Sequence, residues 1–127
     1  MNKLGRVGID LAKNVFQQHG VDRQAKVAWR RRLMRDQWLK VLPGKVEPGC
    51  EIGMEACAGA HHWARQLQTK GFTVKLIAPQ FVNPYLKSNK NDAEAVCEAM
   101  SRPSMRFVAV KTVEQQDIQA AHRIRAS

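Results

Sequence analysis

The feature that most constrains this chain is a change of period along its length. Up to residue 33 the chain reads as extended segments, the first and third with apolar side chains at alternate positions, and beyond it short period-two runs are separated by segments at helical spacing. Residues 4–11 place Val7, Ile9 and Leu11 on one face of a predicted strand and leave Asp10 on the other. A second extended segment runs from about Asn14 to Val21, alternates poorly, and breaks at Asp22-Arg23-Gln24. A third spans Lys26 to Leu33, with Val27, Trp29 and Leu33 on one side. Three extended segments joined by short turns predict an antiparallel meander.

The remainder reads differently. A short helix is expected from Met34 to Leu42, stopped at Pro43-Gly44, followed by a strand from Cys50 to Glu55. Ala60, Trp63, Ala64 and Leu67 fall on one helical face between residues 59 and 70, with Gly71 as the stop. Phe72, Val74 and Leu76 then alternate as a strand, so strand, helix and strand imply a right-handed crossover and a parallel pair. From Pro79 through Pro84 to Asn91 the chain reads as turns; Ala93, Val96, Cys97 and Met100 then form a helical stripe closed by Pro103. A short extended piece at 107–110 precedes a last helix from about Val113, whose apolar positions Val113, Ile118 and Ala121 follow no clean period. Residues 1–110 therefore read as one domain, and 111–127 as a helix leading out of it.

At 127 residues and 44% hydrophobic content the chain suffices for a single core. Twenty-one Lys and Arg against eleven Asp and Glu give a net charge of +10, a field that attracts polyanions, so nucleic acid is the leading partner; the plainer alternative is a solvated basic surface. No apolar run approaches the ~20 residues of a membrane span, and no signal-peptide core is evident, which leads us to expect a cytoplasmic protein. Cys50, Cys57 and Cys97 match no paired metal motif. Cys57 with His61 or His62 would begin a zinc site, yet no second ligand pair follows.

Three antiparallel strands followed by a helix and a strand parallel to the first is the order of an RNase H-like α/β fold, a mixed sheet with helices on both faces. In it Asp10 and Glu55 are neighbours, and Asp92 opens the helix of residues 91–101. Like charges half-buried side by side raise one another's pKa unless a cation neutralises them, and clustered carboxylate oxygens suit Mg²⁺ or Mn²⁺. With Asp92 they would form the acidic site of phosphodiester cleavage or strand transfer. Each residue also has a plainer reading: Asp10 as a turn initiator, Asp92 as a helix cap. Arg30, Arg31, Arg32 and Arg35 crowd the third strand beside Trp29 and Trp38, an arrangement suited to phosphate contact with base stacking, or else to core tryptophans under solvated arginines. Lys87 and Lys90 flank the presumed site and would hold the phosphates of an entering strand.

The blocks GIDLAKNVFQ, GVD, IGMEACAGAHHWARQL, VKLIAPQFVNPY and NKNDAEA, then RPSMRFVAVKTVEQQDIQAAHRIR, span residues 4 to 125 in order. Together they resemble the N-terminal domain of the DEDD transposases of the IS-one-ten group of insertion sequences. The resemblance implies a Holliday-resolvase-like, RuvC-like domain that binds divalent metal and rearranges DNA, with Asp10 and Glu55 matching the first two acidic positions. The third block departs from the pattern: the family carries two Asp three residues apart, and here Asp92 stands alone, with Asn89 three residues before it as a neutral oxygen donor. Family members continue into a domain bearing a nucleophilic serine, and some use a structured guide RNA. By that measure the chain is expected to be a truncated fragment that does not recombine DNA alone. The alternative is a non-catalytic nucleic-acid-binding module derived from a transposase, and homo-oligomeric assembly is left open.

Overall fold

The alternation of Val7 and Ile9 with Gly8 and Asp10 is realised in the central strand of a five-stranded sheet. In the computed structural model, which describes residues 4–11, 15–41, 49–86 and 92–118, this strand is β1 (Leu4–Leu11). It pairs antiparallel with β2 (Val15–Asp22), which pairs antiparallel with β3 (Val27–Met34). On its other side it pairs parallel with β4 (Glu51–Glu55), and β4 with β5 (Thr73–Ile77), giving the order β3-β2-β1-β4-β5. The architecture is thus α/β with a mixed sheet, as the change of period implied. The β2–β3 turn is held by Asp22, whose Oδ1 accepts the backbone N–H groups of Gln24 at 2.9 Å and Lys26 at 3.0 Å.

Two local expectations are corrected. Over 34–41 the expected helix is instead the end of β3, a turn, and one helical turn, α1 (Trp38–Val41), because Met34 still pairs across the ladder with Val15; Leu42 and Pro43-Gly44 lie outside the described residues. The turns expected after Pro79 are a helix, α3 (Pro79–Leu86). Proline is compatible with a first helical position, and Val82, Tyr85 and Leu86 join an apolar cluster that stabilises the segment despite the internal Pro84. The other helices match expectation closely: α2 (Ala58–Thr69) and α4 (Asp92–Met100). Gly71, at φ 91°, closes α2, with its N–H donating to Gln68 O at 3.0 Å and the Phe72 N–H to Leu67 O at 3.1 Å.

Helices cover both faces. On one face Val7, Ile9, Ile52, Met54 and Leu76 pack with Ala60, Ala64 and Leu67 of α2. Trp38 is fully buried there, 5.2 Å from the Phe16 ring and 5.4 Å from that of Trp63, edge to face. On the other, Ile77 meets Val82 of α3 and Ala95, Val96, Ala99 and Met100 of α4. The segment after α4 returns to β5, where the Val108 N–H donates to Leu76 O at 2.7 Å. It is then clamped to α2: the Lys111 N–H donates to His61 Nδ1 at 3.0 Å, Arg65 donates to Lys111 O, and Gln116 Nε2 donates to Ala58 O at 3.1 Å. Residues 113–118 are helical. Among the described residues no helix is long and apolar enough to cross a membrane.

Candidate acidic site and basic edge

The site begins with two glycines. A Cβ on Gly8 would fall 2.6 Å from the backbone nitrogen of Cys97 and closer still to the Ala93 carbonyl oxygen, so α4 rests directly on the β1 backbone. A Cβ on Gly53 would overlap the side chain of Met100. Both glycines alternate with the apolar residues of their strands, so the face that α4 approaches is also the face of Asp10 and Glu55. Ile9 pairs with Met54, and Asp10 and Glu55 are the next residue along each of these parallel strands. Asp92 is the first residue of α4, immediately before the Ala93 carbonyl that meets Gly8. Close packing of α4 therefore delivers Asp92 to the ends of β1 and β4.

The electrostatics agree. Burial, then the negative charge of Asp92, raises the Asp10 carboxyl above its ordinary 3.8. Glu55 is raised above 4.5 by burial, then by Asp92, then by Asp10. The structure thus brings the three carboxylates near enough to repel one another across one end of the sheet. Among the described residues no three His, Cys, Asp or Glu side chains are gathered tightly enough to ligate one ion. In donor chemistry the trio suits a hard divalent cation, whose charge would relieve this repulsion. Asn89, Lys87 and Lys90, expected to complete and flank the site, lie outside the described residues.

The arginine cluster is divided. Ladder pairing sets Asp10 opposite Gln17 and Gln17 opposite Arg32; one rung away Gly8 faces His19 and His19 faces Arg30. Directly opposed residues share a face, so Arg30 and Arg32 lie on the side of the carboxylates and Arg31 on the other. Arg31 stands 5.2 Å from the Trp29 ring centroid and Arg35 5.9 Å from that of Trp63. Trp29 Nε1 donates to Gln18 Oε1 at 3.0 Å. Trp38, read from sequence as a stacking platform beside core burial as the alternative, belongs to the core.

Two further features are distinct from the acidic trio. A cavity of about 380 Å³ beside α4 is lined by Arg6, His19, Glu94, Cys97 and Arg102 among others, and holds none of the three carboxylates. The zinc reading of Cys57 with the histidines finds no support: His61 Nδ1 is occupied by the Lys111 amide, and His62 stacks edgewise on Trp63 at 4.8 Å. Gly8 and Gly53 each stand two residues before a strand carboxylate, Asp10 and Glu55, and that spacing was the available sequence signal for the close approach of α4.

The chain is thus an α/β domain built on a mixed five-stranded sheet, with Asp10 and Glu55 on neighbouring parallel strands and Asp92 at the start of α4. Comparison with known proteins then gives its relatives. No family model matches the chain. It is 56% identical over 126 residues to a probable family 20 transposase of Pseudomonas aeruginosa, covering 97% of this chain and 37% of that protein. It is 49% identical over 128 residues to the transposase for insertion sequence element IS1111A of Coxiella burnetii, covering 98% of this chain and 35% of the relative. Against the transposase for insertion sequence element IS1328 of Yersinia enterocolitica the identity is 49% over 122 residues, covering 94% and 36%. Its homologues are transposases of insertion sequences, and the chain spans little more than a third of their length.

Proposed function

We propose that the chain is the RNase H-like, RuvC-like catalytic portion of a DEDD transposase, acting on DNA in transposition. The observation that carries this reading is the seating of α4 on Gly8, which sets Asp92 beside the strand carboxylates Asp10 and Glu55, each raised first by burial and then by the charge of Asp92. The strand order, with β1 central and β4 parallel beside it, supports it, as does the similarity to transposases.

In this reading Asp10, Glu55 and Asp92, with Asn89 as a neutral donor, would hold Mg²⁺ or Mn²⁺. When bound, the metal supplies charge stabilisation at the reacting phosphodiester and lowers the pKa of an attacking oxygen. The backbones of Asp10 and Glu55 are fixed by strand pairing, with Gln17 and with Ile77, whereas the place of Asp92 depends on the seating of α4 on Gly8. The basic surface draws the DNA backbone towards them. A guide RNA and self-association belong to the same proposal.

Thermal stability measured with increasing Mg²⁺ or Mn²⁺, for the parent and for Asp10→Asn, tests the reading. The parent is expected to be stabilised and the variant not; equal response, or none in either, would count against a metal-dependent catalytic site. A second reading, a nucleic-acid-binding module without catalysis, rests on the net charge of +10 and the exposed arginines of β3. It predicts salt-sensitive DNA binding with no metal response.

A further inference from the structure

The row of residues that contains Asp10 continues across the sheet to an edge strand. From β5 to β3 it reads Ile77, Glu55, Asp10, Gln17 and Arg32, by the pairings of Glu55 with Ile77, Asp10 with Gln17, and Gln17 with Arg32. Arg30 lies on the same face, opposite His19. Strands are about 4.8 Å apart, so Arg32 stands two strands, about 10 Å, from Asp10 at the backbone.

We propose that Arg32 and Arg30 seat the phosphates of a DNA strand leading to the carboxylates, with Gln17 as the bridging polar contact, and that Arg31 and Arg35 take no part. The inference rests on the catalytic reading above and adds to it the path of the substrate. Arg30, Arg31, Arg32 and Arg35 are all exposed, and no ion pair among the described residues engages any of them, so the division rests on face and on ring contact. Arg31 and Arg35 each lie over an aromatic ring, Trp29 and Trp63 respectively. Between the cationic edge and the carboxylates stands a neutral amide: a cation at position 17 would pair directly with Asp10 and compete with a metal ion, whereas Gln17 can donate to a phosphate oxygen without neutralising the acid. A guanidinium two strands from Asp10 reaches a phosphate flanking the reacting one, the place where a positioning residue acts.

The test is equilibrium binding of fluorescently labelled single-stranded DNA to the 127-residue chain in EDTA, as a function of salt, with an RNA of the same sequence in parallel. Arg32→Ala and Arg30→Ala are each expected to weaken binding about three- to tenfold and to lower the slope of log K against log salt by about 0.7, the loss of one phosphate contact. Arg31→Ala should leave both within error, and Arg32→Lys should restore the slope, because a lysine keeps the charge. Equal losses in Arg31→Ala and Arg32→Ala would overturn the division by face, unchanged binding in all variants would overturn the track itself, and tighter binding of RNA would overturn DNA as its occupant. Since no metal is present, these outcomes are independent of the Mg²⁺ response of Asp10→Asn, which judges the catalytic reading separately.

Discussion

The two faces of the sheet are built from alternate residues of the same strands, yet they solve opposite problems. On the α2 face Val7, Ile9, Ile52 and Met54 are fully buried and stabilise by removing apolar surface from water. On the α4 face the same strands present Gly8, Asp10, Gly53 and Glu55, giving up side-chain volume so that α4 can approach and keeping two carboxylates at a charge cost. The contrast teaches that both faces bury apolar residues, but only on the α4 face do the central strands give up side-chain volume and keep charge. Chemistry is expected where burial works against the residue, as it does at Asp10 and Glu55.

The largest effect should come from the stabilising face. Trp38→Ala, which empties the cluster with Phe16 and Trp63, is expected to cost about 3–5 kcal/mol in denaturant unfolding. A loss under 1 kcal/mol accompanied by weaker DNA binding would return Trp38 to the basic edge and break the comparison. Next is Gly8→Ala. Its new methyl meets backbone of α4, which cannot rotate away, so we expect a loss of about 3 kcal/mol. Gly53→Ala meets only the flexible Met100 side chain and should cost less. Equal costs at the two glycines would show that α4 is less tightly seated than its geometry indicates.

Asp10→Asn sharpens the comparison in the other direction. A carboxylate whose folded pKa is raised above 3.8 favours its protonated form, so the stability that Asp10 contributes is present below 3.8 and lost as pH rises through the raised value. At pH 7 without metal the variant should therefore melt above the parent. With metal at about a hundredfold over its Kd, linkage adds about 2.7 kcal/mol to the parent alone. A metal-free variant that melts below the parent would mean that Asp10 is stabilised rather than strained by its surroundings.

The smallest effect lies at the clamp on α2. Burial, then Lys111 and Arg65, holds the His61 pKa below 6.5, in keeping with a neutral ring accepting the Lys111 amide. That contribution is present above the unfolded value of 6.5 and is lost as pH falls through the lowered folded value, removing about 1 kcal/mol, one hydrogen bond. Amide exchange at Lys111 should accelerate selectively over that range; protection independent of pH would place the clamp elsewhere.

Much of this was legible from residue pattern because it is local. Alternation placed Asp10 opposite Val7 and Ile9, Gly71 closed α2, and the strand–helix–strand order implied the parallel pair of β4 and β5. The segment after Pro79 was misread because two prolines are strong local turn signals, whereas packing of Val82 against α4 is a non-local gain. The arginines were read as one cluster because adjacency in sequence hides the fact that neighbours in a strand point to opposite faces.

By itself, the order of residues determined which elements form, which side of each strand is apolar, and that three carboxylates of the right kind exist. Tertiary structure alone decided that Asp92 stands near Asp10 and Glu55, since that depends on two missing side chains letting α4 onto the sheet, and that Arg32 rather than Arg31 shares their face, since that depends on register across three strands. Local preferences act over a few bonds; convergence of residues more than eighty positions apart is set by how surfaces pack.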